Sequence, residues 1–544
     1  MEQSRLLIAF LISLVIVIAY QKFVLSKYEP PRPAATQQPV SVPAEPAAPV
    51  ATEQRPPATG VLGAPVGDEG LIHIETDVFR IAITPIGARL ADIELKAFRR
   101  TVDRDSAPLD LVQAEGTPPV LPGTLALGAN AADAGLHYRT DRVELVLHGS
   151  DSGEITLAAE TPTGLQVQKR YRFTGDQYVF TMTASASGNG APASVGLVLT
   201  PIPVDSTRTR ETAVAVLSGP ELLFKRACFE KAIADLKGQT SVESSTWAGF
   251  AAQYFLTAAV PSAGSTPATF TVPDKTAPDG TPTSVQVEAG LADGQAVFDI
   301  YAGPKERDGL TRAGRDLERT LYFGWFWFIA IPLLRALRLL HAAFGNYGVS
   351  IIVLTALVKL ATAPLTRTTF RNMREMQKIQ PQMAKLRERF KDDQMALQKE
   401  MMELYRRHRV NPFSGCLPML LQLPIFVGLY NALLHAIELR HAPFALWIND
   451  LSAPDRLRMA WIPAGTPFIG DGVPVLTLVM GASMLVQQSL TPQQGDPTQQ
   501  RMMMFMPLVM TFMFINFPAG LVLYWLVNNL LTIGQQYLMM RTMK

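Results

Sequence analysis

The stretch SIIVLTALVKLATAPLT, residues 350–366, carries a single ammonium group, Lys359, inside an otherwise apolar run. On a helix Thr355, Lys359, Thr362 and Thr366 fall at i, i+4, i+7 and i+11, which is one face. A cation flanked by hydroxyls can draw in and hold an acidic or polar group where the surroundings are apolar. The last apolar run repeats the pattern with Tyr524, Asn528, Thr532 and Gln535 or Gln536, and other runs contribute Gln422, Asn431, Ser483 and Gln487. Such side chains are costly against lipid, so these faces are expected to point inward. No Asp or Glu lies inside any of these runs, and Glu438 stands only at an edge. A buried ammonium without a counter-ion loses its proton or requires water, so the pattern implies a hydrated cationic groove. Two plainer readings stay open. Lys359 lies about seven residues, roughly 10 Å, from the end of its run and could snorkel outward. The polar residues could equally be hydrogen-bonding glue between helices.

The elements that must position these residues are membrane spans. Residues 1–28 hold LLIAFLISLVIVIAY followed by Gln21 and Lys22, with no small-residue cleavage site, and read as an uncleaved signal anchor. Residues 29–67 are a Pro/Ala-rich tether that cannot bury a core. Residues 68–305 change to short alternating runs such as RVELVLHG and YVFTMTASASG, punctuated by Gly, Pro, Asn and Asp, which predict a large antiparallel β-sandwich. Residues 306–345 are read as a linker and an amphipathic helix in the headgroup plane. Its apolar part before Arg335 is short and contains Pro332, while Arg335, Arg338 and His341 recur on one side. Spans are then expected at 346–365, 415–437, 473–490, 503–517 and 519–539. With the anchor this makes six, five of them forming the core; several are short enough to thin the bilayer.

The segment 367–411 carries twelve cationic residues, among them Arg371, Arg374, Lys378, Lys385, Arg387, Arg406 and Arg407, against about half as many acidic ones. The positive-inside rule puts it in the cytoplasm, which sends the β-domain and the loop 438–472 to the other side and both termini inside. Met376, Ile379, Met383, Leu386 and Phe390 step by three and four, KDD interrupts, and Leu397, Met401 and Leu404 resume. That predicts two helices paired as an antiparallel hairpin, with Pro381 a candidate kink. It is either a docking surface or a solvated linker.

Several chemistries find no support. The formal charge of +2 on 544 residues gives no nucleic-acid footprint. Cys228 and Cys416 fall in a polar and an apolar region, so no disulfide framework or zinc spacing exists. Gly309 and Gly314 have phosphate-loop spacing, but Arg315 and Asp316 follow where lysine and a hydroxyl are required. His73, His137 and His148 show no triad or ligand spacing, and no cofactor or metal is expected. A wet cationic groove beside short spans and a methionine-rich run, MMMFMPLVMTFMF, suits a device that shields polar segments while their apolar neighbours slide against lipid.

NPFSGCLPMLLQLPIFVGLYNAL (411–433), APFALWINDLSAPD (442–455) and FPAGLVLYWLVNNLLTIGQQYL (517–538) closely resemble the YidC family of membrane-protein insertases, over about 320–544. The anchor, the tether, WAGFAAQYFLTAAVP and YAGPKERDGL resemble its Gram-negative form. The resemblance implies a periplasmic β-supersandwich, an inner-membrane location and no enzymatic activity. It further implies nascent membrane proteins as clients, contact with the Sec translocon and with ribosomes or signal-recognition machinery, and the hairpin as one docking element. It also implies a groove lined by Thr355, Gln422 and Tyr524 with Trp525 around position 359. There the family typically carries arginine and this chain has Lys359, which keeps the charge and loses the planar fork. A secondary transporter is disfavoured by the missing intramembrane carboxylates and repeat signals. An envelope-assembly scaffold would require residues 68–305 for function.

Overall fold

The computed structural model describes residues 70–542 apart from 104, 113–119, 128–131, 204–212, 219–226, 233–237, 263, 273–282, 322, 324, 391–392, 409–416, 460–471 and 491–496. The expected anchor and tether lie outside the described residues, as do Cys416 and the side chain of Cys228. The chain divides into two compact units, one of residues up to Arg100 and Asp105–Thr320, the other of Thr101–Arg104 and the residues from Leu321 onward.

In the first unit the period-2 patterns become strands. Leu165–Thr174 buries every second residue and exposes most of the others, as a strand with one wet face must. It pairs antiparallel with Ser152–Glu160 and Val179–Gly188, and the latter pairs in turn with Gln295–Pro304, far along the chain. These belong to a 13-stranded sheet, which packs with a 5-stranded sheet built mainly from 72–110. Phe79 of the smaller sheet meets Phe180 of the larger edge-to-face at 6.3 Å, and Trp247, Tyr171, Phe173, Phe250 and Phe298 are fully buried. Each such side chain contributes roughly 1.5–3 kcal/mol of burial. This is the expected antiparallel sandwich. Its boundary extends past 305: helix α1 (Arg307–Ala313) and a 3-10 turn (Leu317–Thr320) belong to the unit because Leu310 and Leu317 are buried.

One inner-face residue of Leu165–Thr174 is charged. Lys169 points into the core at 0% exposure and pairs with Asp133, also 0% exposed, at 2.6 Å. Its remaining protons go to the carbonyls of Gly87 (2.5 Å) and Gly123 (2.6 Å). Asp133 also accepts from the Tyr138 hydroxyl at 2.7 Å and the Leu125 amide at 2.8 Å. Every polar atom is matched, as burial of charge requires. Because the ammonium reaches the 84–90 turn of the other sheet, the network stitches the two layers together.

The second unit is helical. Trp327–Phe344 (α2) ends at left-handed Gly345, and Tyr347–Arg389 (α3) follows immediately, N-capped by the Asn346 side chain on the Val349 amide. Gln394–Arg407 (α4), Leu417–His435 (α5), Val475–Leu490 (α6), Pro497–Phe514 (α7) and Ala519–Thr542 (α8) complete it. α2 packs on α3 and α5, α8 packs on α3 and α6, and α6 packs on α7.

Two helices run longer than the segments read from the sequence. The span at 346–365 and the first hairpin arm are one continuous helix of 43 residues, about 65 Å long, running through Pro364 and Pro381. α2 continues through Arg335, and by length and composition both it and the first 18 residues of α3 are apolar enough to cross a membrane. On α2, Arg335 is exposed, whereas Arg338 pairs with Glu438 at 2.6 Å and the His341 ring stacks on Tyr347 at 3.7 Å. Apolar groups remain on its outer side, Trp327, Phe328 and Leu339 among them.

Candidate functional site

α3, α5, α6 and α8 carry the polar residues singled out above. Lys359 is half-buried on α3 and its ammonium donates to the Thr532 hydroxyl of α8 at 2.8 Å. Thr532 passes the interaction on, donating to the Asn528 carbonyl at 2.6 Å. Among the described residues no carboxylate oxygen lies within ion-pair distance of Lys359. Among the described residues the hydrogen-bond partner of the cation is thus a neutral hydroxyl.

The threonines of the same face spend their protons locally. Thr355, buried, donates to the Ile351 carbonyl at 2.6 Å; Thr362 donates to Val358 at 2.9 Å, and Thr366 to Thr362 at 3.0 Å. These i−4 bonds engage each hydroxyl proton within the helix itself. A second contact lies nearer the start of α8, where the Gln422 amide of α5 donates to the buried Tyr524 hydroxyl at 2.8 Å. A third joins α8 to α6: the Asn529 amide donates to Ser483 at 3.1 Å, and Ser483 donates to the Met480 carbonyl at 2.6 Å. Gln487 lies one turn beyond Ser483, half-buried.

Two residues expected at the groove are placed elsewhere. Asn431 sits nine positions after Gln422, roughly 14 Å along α5, and its amide donates to the Phe323 carbonyl. It anchors the approach to α2. Trp525 follows Tyr524 but points about 100° away around the helix and packs in an aromatic cluster, 4.7 Å from Phe426 and 4.9 Å from Phe514. Thr532 was visible only as one member of a stripe; its partnership with Lys359 needed the α3–α8 crossing.

The hairpin forms between the second half of α3 and α4, with Asp393 capping α4 through the Met395 and Ala396 amides. Met376 and Ile379 are buried, while Met383, Leu386, Leu397 and Leu404 form a half-buried seam. A cleft of about 240 Å³ opens along the seam, lined by Lys385, Arg389, Glu400, Leu404 and Arg407. Lys378 pairs with Glu375 and Arg407 with Glu403 on the surface; Arg406 is exposed, Arg387 half-buried, and Arg371 and Arg374 lie on α3.

The model of the 60Kd inner membrane protein family matches residues 339–544, and that of the YidC periplasmic domain matches 71–336. The membrane protein insertase YidC of Geobacter metallireducens is 36% identical over 98% of this chain and 97% of its own length. This chain belongs to the YidC family of membrane protein insertases. Its counterpart in Pelobacter propionicus is 35% identical, covering 98% of each chain. A crystal structure of an active YidC insertase with its first transmembrane domain resolved covers 87% of this chain and 93% of that one, at 19% identity and a TM-score of 0.37. As a YidC-family member the chain is a membrane protein insertase with a periplasmic domain, and the β-sandwich is that domain. Its clients are nascent membrane proteins, and its task is transfer between phases, with no covalent bond made or broken.

Proposed function

We propose that Lys359, with Thr355, Thr362, Thr532, Gln422, Tyr524, Asn528 and Gln487, forms a hydrated groove that receives polar or acidic client segments from the cytoplasmic side. In this reading α2 lies in the headgroup plane and the chain crosses the inner membrane six times, with both termini and the hairpin cytoplasmic, and works alone or with the Sec translocon. The hairpin's cationic residues meet ribosomes or signal-recognition machinery, and anionic lipid lies alongside. One observation carries the proposal: a half-buried ammonium whose hydrogen-bond partner among the described residues is a neutral hydroxyl. A counter-charge supplied by a client fits that arrangement better than a permanent ion pair.

The magnitude sets the test. A client carboxylate about 5 Å from the ammonium gains roughly 3 kcal/mol at an effective dielectric near 20, and under 1 kcal/mol in bulk water. Replacing Lys359 with Ala is therefore expected to slow insertion of a single-span client with an acidic translocated tail by about 10- to 100-fold. Arg should stay within about threefold of the parent, Glu should be worse than Ala, and a neutral-tailed client should change by less than about threefold. Equal insertion by all three variants would refute the groove charge.

A further inference from the structure

At the end of the bundle opposite the hairpin, residues 442–457 touch the ends of four helices. The Asn346 side chain, which caps α3, also donates to the Phe444 carbonyl at 3.1 Å, and the Phe444 ring lies directly on Gly348. The first amides of α8, Ala519 and Gly520, donate to the carbonyls of Ala453 and Leu451, both at 2.8 Å. Asp455, 3% exposed, accepts the Leu476 amide at the start of α6 at 2.5 Å, and its other oxygen accepts the Trp447 indole N–H at 2.6 Å. Arg456 donates to the Ile515 carbonyl at the end of α7 and to the Asn516 side chain, each at 2.8 Å. Leu457 and Val473 exchange both backbone bonds.

The signs are complementary. The carboxylate meets the positive end of α6 and the guanidinium the negative end of α7. These are the orphan groups every helix leaves at its termini, and here one short segment supplies partners for several of them. The two helices that meet at the groove both begin on this segment. Lys359 lies twelve residues after the first residue of α3, and Thr532 thirteen after the first of α8. At 1.5 Å per residue both arrive roughly 18–20 Å from the tied ends, and so come level.

We infer that 442–457 sets the register of the groove, with Asp455 as its central positioning residue: it touches no client, but fixes α6 against the segment from which α3 and α8 start. The functional consequence rests on the groove reading above; the register itself does not. The test uses the full chain in nanodiscs, with Cys228 and Cys416 replaced by Ser and spin labels at positions 360 and 538. Leu360 and Leu538 are both exposed and are not among the groove residues. Asp455→Ala is expected to lower insertion of an acidic-tailed client at least tenfold and to broaden the distance distribution. Adding Pro474→Ser, which supplies α6 with an N-cap of its own, should return thermal stability and leave the broadening and the insertion defect in place.

Recovery of insertion with the local cap would reduce Asp455 to an ordinary capping residue and overturn the inference. So would an unchanged distance distribution in Asp455→Ala. A broadened distribution with normal insertion upholds the register and overturns the groove reading. If Asp455→Ala yields no folded protein, Trp447→Phe decides, because it deletes only the indole donor. A broadened distribution with insertion several-fold lower supports the inference, and no change in either overturns it.

Discussion

Asp133→Asn in the β-sandwich tests the energetics of the buried network directly. The substitution keeps the shape but replaces one carboxylate oxygen with an N–H donor. The native carboxylate faces three donors: the Lys169 ammonium, the Tyr138 hydroxyl and the Leu125 amide. The amide oxygen can satisfy part of this set, while its NH₂ opposes another donor and Lys169 loses its counter-charge. Breaking a buried pair on one side costs about 3–5 kcal/mol. For a unit of this size that is a fall in Tm of about 10 °C. Burial already lowers the Lys169 pKa, and the Asp133 charge opposes that shift. In the variant the opposition is gone, so the unfolded chain binds the proton more readily than the folded one at all pH below the ordinary lysine value. The defect should therefore lessen as pH rises toward 10. The assay is hydrogen exchange of peptides from 165–174 and 295–304, with thermal unfolding of the full chain in detergent. Insertion should be retained, since the network lies wholly in the first unit. A loss below 1 kcal/mol would refute the argument.

Three further outcomes are expected. Tyr524→Phe deletes the acceptor for Gln422 and should cost about 1 kcal/mol in chemical denaturation, because Gln422 is half-exposed and can turn to water. Burial pushes the Asp110 carboxyl up from 3.8 to about 6, against the Val112 and Ile93 amides that lower it. The folded state then holds the proton more tightly, so stability from this group falls as pH rises from about 4 to 6, by at most about 3 kcal/mol; Asp110→Asn should flatten that part of the pH–stability curve. A Cβ on Gly481 would strike the Thr511 side chain of α7, whose hydroxyl is bonded to the Pro507 carbonyl. Gly481→Ala should cost about 1–3 kcal/mol by thermal unfolding, and Thr511→Ala should recover part of it.

Much of this was legible in one dimension because it depends on spacing. Alternation along Leu165–Thr174 specifies a strand with one wet face, and steps of three and four from Met376 to Phe390 specify a helical seam, since each periodicity is a property of local backbone geometry. The polar face of α3 was visible for the same reason. Lys169 was invisible: the strand pattern places it on the inner face, but nothing nearby in the chain announces that Asp133, 36 positions earlier, closes a pair with it. α3 runs on past 366, although Pro364 and the switch from apolar to basic residues look like an ending. A proline removes one backbone bond, and a helix packed on its neighbours continues through it.

The site divides along the same line. Composition and period alone determined that a cation and hydroxyls share one face of an apolar helix, and that no carboxylate stands in the apolar runs to neutralise it. Which polar residues meet was decided only in three dimensions. Asn431 and Trp525 are as polar or amphipathic as Gln422 and Tyr524, yet the crossing of α5 with its neighbours turns Asn431 to the Phe323 carbonyl and Trp525 to Phe426. The partner of Lys359 is Thr532, 173 residues away, brought level because both helices start from one tied segment. Local sequence sets the face a residue occupies, and the register between helices sets what that face meets.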